Sequence, residues 1–401
     1  MRSKQSQRPI RYLQLSTESF SAFKFLAPLS QYLDQTGRYE GNLACNTDGF
    51  ADARSYAQEL RDCGFVIDHL PIPRGIDPAS DVRACVKITR YLRSKRIDIL
   101  HTHNSKAGIL GRIAGRLAGV PVIVHSAYDY GPLMDSWGTP TGTVLAFAER
   151  LAGRCSDRIL FISEDGVKNC RDWNLAPAEK LVNVGVGISF DEFDSRKVSE
   201  SEKERLRNEL RIPSSQRIVG TLARLTPHKG VDTLVQAAAL VNREEPDVHF
   251  LVAGGGPEEA GLRRMADELG LNGNISFTGF IKDQSKVPTL FSLMDVFWLA
   301  TRREGFGLVY TEANAMGVPV IGSNIPPVDF VIGENIGGLL ADPESPNDFS
   351  RCCINLLRDS DLRSKLGQNG FSRAKRLFDE RLTYEKIVAV YDELLESKEI
   401  I

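Results

Sequence analysis

Short apolar runs alternate with helix-like segments from one end of the 401-residue chain to the other. Parallel strands buried on both faces read as near-continuous apolar runs, so this alternation predicts a three-layer α/β architecture with parallel sheets. In the first half the runs are Ile10–Leu15, Ile97–Leu100, Val120–Val124, Arg158–Ile162 and Val182–Ile188. In the second half they are Arg217–Leu222, Val248–Ala253, Ile275–Phe280, Val296–Ala300 and Val318–Ile321. Helical spacing is expected through Leu26–Leu33, near Gly108–Gly119, from Ser163 and Glu164 onward, and over Arg376–Lys398. Between the two sets, residues 194–211 are dense in charge and Ser, and read as a linker that becomes a helix. Two domains is the natural count at this length.

Composition excludes several classes. At 42% hydrophobic and 25% charged the chain is ordinary for a globular protein. It has no apolar run of about 18 residues, so no spanning helix is expected. Met1 to Arg11 is polar and basic without an apolar core, so it does not read as a signal peptide. The seven cysteines are odd in number and scattered, without a C-x-x-C pair or a His at metal-ligand spacing. Reduced thiols in the cytoplasm fit this better than a disulfide framework, and no zinc site is expected. Net charge is −2, but residues 1–190 hold 24 Lys+Arg against 19 Asp+Glu. Within 82–116, Arg83, Lys87, Arg90, Arg93, Lys95, Arg96, Lys106, Arg112 and Arg116 face one acid, Asp98. Such a band suits an anionic membrane surface or an anionic acceptor, and a solvated helix face accounts for it equally well. Aromatic residues do not interleave with it, so nucleic acid is not expected as a partner.

The densest chemistry lies in Glu304-Gly305-Phe306-Gly307-Leu308-Val309-Tyr310-Thr311-Glu312, between the run Val296–Ala300 and Gly317. Gly305 and Gly307 let the backbone turn and approach a ligand closely. A helix is expected from Leu308 to Gly317, and its first N–H groups favour a pyrophosphate. Glu312 lies eight residues beyond Glu304, so both carboxylates can face one cleft. A lone Glu-x7-Glu spacing is common; the whole strand, glycine loop and helix block is far rarer. Arg224 and Lys229 follow the first strand of the second half, where two cations can neutralise a leaving diphosphate. Gly254-Gly255-Gly256 follows a strand but lacks the last glycine of G-x-G-x-x-G, because Glu259 fills that place. It reads first as a tight turn. In the first half, His101-Thr102-His103-Asn104-Ser105-Lys106-Ala107-Gly108 ends a strand and opens a helix, a position suited to a ligand crevice.

The 304–312 block resembles the signature of the retaining GT-B glycosyltransferases of family 4, often called glycosyl transferases group 1. The resemblance implies that Glu304 contacts a donor sugar and Glu312 holds the ribose hydroxyls, with Gly305, Phe306, Gly307 and Leu308 beside the diphosphate. Ala223-Arg224-Leu225-Thr226-Pro227-His228-Lys229-Gly230 is similar to the family's G-R-L-x-x-x-K-G, with Ala223 in place of its glycine. It implies that Arg224 and Lys229 meet the departing diphosphate. Gly254 belongs to a nucleotide-adjacent loop in which Gly255 departs from the family's Asp, and Phe280 to a segment that meets the base through backbone atoms. The first domain resembles the bacterial surface-polysaccharide branch. Its loop Ser16–Phe23 has no Gly-Gly pair and precedes a helix carrying Pro28 and Leu29, and its His-x-His-x-x-Lys-Ala-Gly run holds His103 and Lys106. Ser16, His103, Lys106 and Tyr128 are thereby placed on the acceptor or sugar side. Tyr128 stands seven residues after Pro121, where the family usually has a histidine, and His125 is not given that role.

What the resemblance implies is a GT-B protein with two Rossmann-like domains facing a central cleft. Residues 1–195 would form the acceptor domain, with a C-terminal helix of about 379–401 packing back on it, and residues 196–378 would bind the nucleotide-sugar. The reaction would be retaining transfer of a hexose from a nucleotide-sugar, expected to be UDP-linked, to an acceptor hydroxyl. Cell-surface polysaccharide or lipid-linked glycan synthesis is the implied setting, at the inner face of the membrane. No nucleophile stands out, consistent with a front-face mechanism, and no metal or other cofactor is expected. A nucleotide-sugar epimerase on the same scaffold, and a non-catalytic nucleotide-sugar-binding partner of another transferase, are the alternatives.

Overall fold

A computed structural model describes residues 8–49, 53–73, 75–128, 130, 133 and 136–400. Residues 1–7 of the polar, basic N-terminal segment lie outside the described residues. The chain forms two compact units, one running through Gly185 and resuming at Thr383, the other spanning Val186–Leu382.

The first unit is built on a parallel seven-stranded sheet. Its strands are β1 (Ile10–Glu18), β2 (Tyr39–Asn46), β3 (Ile67–His69), β4 (Ile99–His103), β5 (Val122–Ala127), β6 (Arg158–Phe161) and β7 (Leu181–Asn183). They lie in the order β3-β2-β1-β4-β5-β6-β7. Successive side chains leave opposite faces of each strand. Leu13, Leu100 and Ile123 accordingly join a core with Ile88 and Leu110 of the flanking helices. Tyr12, Ile99, Val122 and Leu160 join another with Ile387, Tyr391 and Leu394 of the C-terminal helix Glu380–Ser397. The alternating apolar and charged tail therefore becomes a cover for one face of this sheet.

The second unit has a parallel six-stranded sheet in the order β10-β9-β8-β11-β12-β13. Here β8 is Arg217–Leu222, β9 Val248–Ala253, β10 Ile275–Phe277, β11 Val296–Leu299, β12 Val320–Ser323 and β13 Gly338–Ala341. Val219, Phe250, Trp298 and Ile321 pack with Leu234 and Phe349 from the covering helices. In both sheets the strand order reverses beside the first strand, between β1 and β4 and between β8 and β11. Loops leaving the carboxyl ends of such a pair diverge to opposite faces and open a crevice where ligands bind in open α/β sheets.

Local structure departs from the sequence reading at several points. The unit boundary falls at Gly185/Val186 rather than after 195, because Ile188 pairs with Asp379 and the Phe193 ring stands 6.1 Å from that of Phe291. The return falls at Leu382/Thr383 rather than after 378. Strand β7 stops at Asn183 instead of running to Ile188, since Gly185 turns the chain at φ +75°. Strand β12 begins only after Pro319, which has no N–H for the ladder. The segment expected as a loop over Ser16–Phe23 is mostly regular. β1 runs to Glu18, Ser19–Ser21 is helical, and Ala22–Leu26 forms a wider π turn before the helix Ala27–Gln35. Tertiary contacts hold it there. Ser19 Oγ donates to Ala53 O at 2.7 Å, and Ala22 and Leu26 pack with Leu43 and Leu60.

The basic band also divides. Arg112 is fully buried, its Nη2 2.6 Å from Glu149 and its Nε donating to Gly108 O. Lys106 is held by Asp81 at 2.6 Å and Gly75 O at 2.9 Å. Asp98 is engaged by Arg8 at 2.7 and 2.8 Å. Arg83, Lys87, Arg90 and Arg93 remain exposed on the helix Pro78–Lys95.

Candidate functional site

In the second unit the crevice is set by backbone contacts that only glycine allows. Gly230 has φ +63°, and a Cβ there would lie 1.8 Å from Ala300 O. This draws the loop after β8 against the end of β11. The Arg302 N–H donates to His228 O at 2.8 Å, while its guanidinium grips Pro227 O, Asp232 and Glu344. Thr301 Oγ1 donates to Arg303 O at 2.7 Å. Two loops separated widely in sequence are thus stitched together, and Lys229 Nζ stands 2.6 Å from Glu304 Oε2. Glu304 Oε1 accepts from the Gly305 N–H at 3.2 Å.

Beyond this pair, Gly307 at φ +94° leads into the helix Leu308–Ala315, which starts without a side-chain cap. The Tyr310 N–H turns back to Gly307 O at 3.0 Å, which leaves the Leu308 and Val309 N–H groups at the helix start as hydrogen-bond donors. The Tyr310 hydroxyl donates to Leu299 O at 2.9 Å and fixes the helix to β11. Glu312 sits in this helix, buried, and Arg224 is exposed on the loop after β8. Phe306 turns into the packing, edge-on to Phe378. Burial, together with the charges of Lys229, Arg303 and Arg224, pushes the His228 imidazole below its usual range, and Glu304 opposes that. The crevice therefore concentrates positive charge around one paired carboxylate.

The glycine run after β9 packs on the same loops. A Cβ on Gly254 would lie 2.0 Å from Ala223 O, and one on Gly256 2.3 Å from Leu225 O. The Leu225 N–H donates to Gly255 O at 3.0 Å, and Gly254 bridges Gly279. Next to this joint the Phe280 ring is 64% exposed, available for an aromatic face. Arg224, Lys229, Glu304, Gly305, Gly307 and Leu308 thus converge at the β8/β11 reversal, with Gly254 and Phe280 at the adjoining strand ends.

The crevice of the first unit is neutral and hydrogen-bonded. His103, at the end of β4, has Nε2 2.6 Å from Gln14 Oε1 and Nδ1 2.9 Å from the Tyr128 hydroxyl. An amide oxygen only accepts, so Nε2 carries the hydrogen. Burial, reinforced by His101 and His125, pushes the His103 pKa far down, and the ring is neutral. Nδ1 then accepts from the Tyr128 O–H, which leaves the phenol oxygen's lone pairs for a ligand hydroxyl. Burial pushes the Tyr128 pKa up, so the phenol keeps its proton. Behind them Tyr391 joins His101 at 2.6 Å, and His101 joins Ser126 at 2.8 Å. Phe25 stands beside Tyr128, ring centroids 6.0 Å apart.

Other residues assigned to this side are engaged elsewhere. The Ser16 hydroxyl donates to Glu18 O at 2.9 Å, and Lys106 turns to the helix Pro78–Lys95 through Asp81. His125 is buried against Thr102, where Gly108 makes room for its ring. Sequence reasoning missed Gln14, Ser126 and Tyr391. The one local signal was a polar residue, Gln14, inside the apolar run Leu13–Leu15. Among the described residues no three His, Cys, Asp or Glu side chains converge as a metal-binding set.

Comparison with known proteins matches both units. Residues 27–187 match the glycosyl transferase 4-like domain, and residues 202–373 match the glycosyl transferases group 1. The capsular polysaccharide biosynthesis glycosyltransferase CapM of Staphylococcus aureus is 27% identical over 86% of this chain and 90% of its own. An Escherichia coli UDP-Gal:alpha-D-GlcNAc-diphosphoundecaprenol alpha-1,3-galactosyltransferase is 26% identical over 81% and 83% of the two chains. In fold, the chain is similar to Anabaena HepE, solved in complex with UDP and glucose. The TM-score is 0.79 at 19% identity, over 96% of this chain and all of that one (100%).

Proposed function

Because this chain belongs to the glycosyl transferases group 1 and has the GT-B fold of two parallel-sheet Rossmann-like domains, we propose the following chemistry for it. It is a glycosyltransferase of polysaccharide or lipid-linked glycan synthesis, and it moves a hexose from a UDP-sugar to an acceptor hydroxyl with retention at the anomeric carbon. The juxtaposition of Lys229 and Glu304 from two distant motifs, at the strand-order reversal and beside an uncapped helix start, carries this reading. As the bond from the sugar to the diphosphate opens, negative charge builds on the leaving phosphate. Lys229, Arg224 and the N–H groups around Leu308 are aimed at such charge. Glu304 orients the sugar, Glu312 the ribose, and the backbone near Phe280 the base. Tyr128, primed by His103, accepts from a hydroxyl of the sugar or acceptor. These groups meet the leaving charge without a metal, so activity should persist in EDTA. The relatives are transferases by name, which favours neither the epimerase nor the non-catalytic alternative.

Titration calorimetry with UDP-, GDP- and ADP-sugars tests the donor site. Micromolar binding of one donor, lost in Glu312→Ala, is the expected result. No binding by any donor in the presence of acceptor would sink the reading. The anomeric configuration of the product, read by NMR, tests retention.

The acceptor is taken to be presented at an anionic membrane face. Exposed Arg83, Lys87, Arg90 and Arg93 support this, as does the exposed apolar stripe Val144, Phe147 and Leu151 on the helix Pro140–Cys155. Among the described residues no helix is long and apolar enough to cross a membrane. Co-flotation with phosphatidylglycerol vesicles at low salt should weaken in Phe147→Ser. Absence of flotation by the unaltered protein would remove the membrane from the proposal.

A further inference from the structure

Glu304 does more in this geometry than await a sugar. Its two oxygens engage one cation and one backbone donor, Lys229 Nζ at 2.6 Å and the Gly305 N–H at 3.2 Å. A cation plus a loop N–H ahead of a helix start is also the donor set that a phosphate uses. A Cβ on Gly307, the residue that precedes this helix, would lie 3.4 Å from Glu304 Cγ, so the acid lies over the helix entrance. The two side chains are only 19% and 13% exposed, so the pair is partly shielded from water yet reachable.

The partners are also fixed from behind. The Gly230–Ala300 approach and the Arg302–His228 hydrogen bond hold both loops at close range. Exchange of partners therefore needs rotation of the Glu304 side chain rather than movement of a loop.

We infer that Glu304 is a built-in counter-anion that competes with the donor's diphosphate for Lys229 and the Gly305 N–H. Diphosphate binding takes over Lys229 and releases the carboxylate toward the sugar. After transfer the carboxylate retakes Lys229 and helps expel the nucleoside diphosphate. This rests on the donor-site reading above and adds a second task to Glu304, the control of product affinity.

The test is titration of UDP, GDP, ADP and inorganic pyrophosphate into the full chain, its Glu304→Gln and Lys229→Met variants, and the double variant. Glu304→Gln should bind the preferred nucleoside diphosphate about two- to fivefold more tightly, the span of a partly exposed charge pair. Turnover should fall in the same variant, since the sugar contact is weakened. In the Lys229→Met background the gain from Glu304→Gln should vanish, because nothing is left to compete for. The advantage should also shrink as salt rises. Equal affinity in Glu304→Gln, or a gain that survives in full without Lys229, overturns the competition and leaves the donor site standing. If neither the parent nor Glu304→Gln binds any of the four probes, the donor-site reading falls and the competition with it. Glu304→Asp checks for damage to the loop: it keeps the charge on a shorter arm and should bind no more than about twofold differently from the parent, whereas a gain as large as that of Glu304→Gln would overturn the competition.

Discussion

The two sheets reverse strand order at the same place in their sequences of strands, yet the loops at the two reversals are built from opposite chemistry. At β8/β11 the side chains are charged and partly open to water: Lys229 on Glu304, with Arg224 exposed nearby. At β1/β4 they are neutral, a run of hydrogen bonds from the half-buried Tyr128 through buried His103 to buried Gln14, with His101 and Ser126 behind. Topology supplies a crevice in both cases, and side chains decide what it can hold. Concentrated positive charge suits a diphosphate whose charge grows in the reaction. A neutral acceptor oxygen held by a buried imidazole suits a hydroxyl.

The largest expected effect is in the charged crevice. Lys229→Ala should lower kcat by about 10²–10³-fold, the range for removal of one preorganised charge-stabilising group. Steady-state kinetics would show this. A loss of that size from Tyr128→Phe would break the contrast between the crevices.

A pair of left-handed glycines, one from each unit, allows a second comparison. Gly230→Ala should cost about 2–4 kcal/mol in denaturant unfolding, because its Cβ meets Ala300 O as well as a positive φ. Gly119→Ala, in the first unit, has the same left-handed φ but open space, and should cost about 1 kcal/mol. Equal costs would mean that the loop after β8 relaxes freely.

Acid should act on the neutral crevice. Burial pushes His101 down to about 3 and holds His103 and His125 far below the usual imidazole range. The folded unit therefore carries these rings unprotonated where the unfolded chain protonates them, below about 6.5. Unfolding takes up protons, so stability is full above pH 6.5 and is lost as pH falls from there toward 3. Thermal unfolding from pH 7.5 to 5 should show a falling Tm, with a shallower slope in His125→Gln. A Tm that rises on acidification would contradict the neutral assignment.

The smallest expected effect is at Tyr128. Tyr128→Phe should reduce kcat/KM by about five- to tenfold, the size of one net hydrogen bond. Purified enzyme with the identified donor and acceptor would report it.

Much of this architecture could be read from local pattern. The strand runs were legible because a parallel strand buried on both faces leaves a contiguous apolar stretch. The 304–312 block was legible because a strand, a glycine turn and a helix start are neighbours in sequence. Arg112 shows where such reading stops. It sits among cations and looks like a surface charge, but Glu149, from a helix later in the chain, meets it in the core. The Ser16–Phe23 segment looked like a loop for want of periodicity, and its π turn is held by contacts with Ala53, Leu43 and Leu60. Phe306 was assigned beside a ligand, and its side chain is buried against Phe378.

The α/β class, the two sets of strands, and the residue types gathered near each strand end are written in local sequence, because these follow from nearest neighbours along the chain. Which of those residues share a partner follows from packing between distant elements. Lys229 meets Glu304 and Gln14 meets His103 across long stretches of intervening chain, through strand order and through glycines that let backbones touch. Partnership of that kind depends on packing between elements, and no local pattern encodes it.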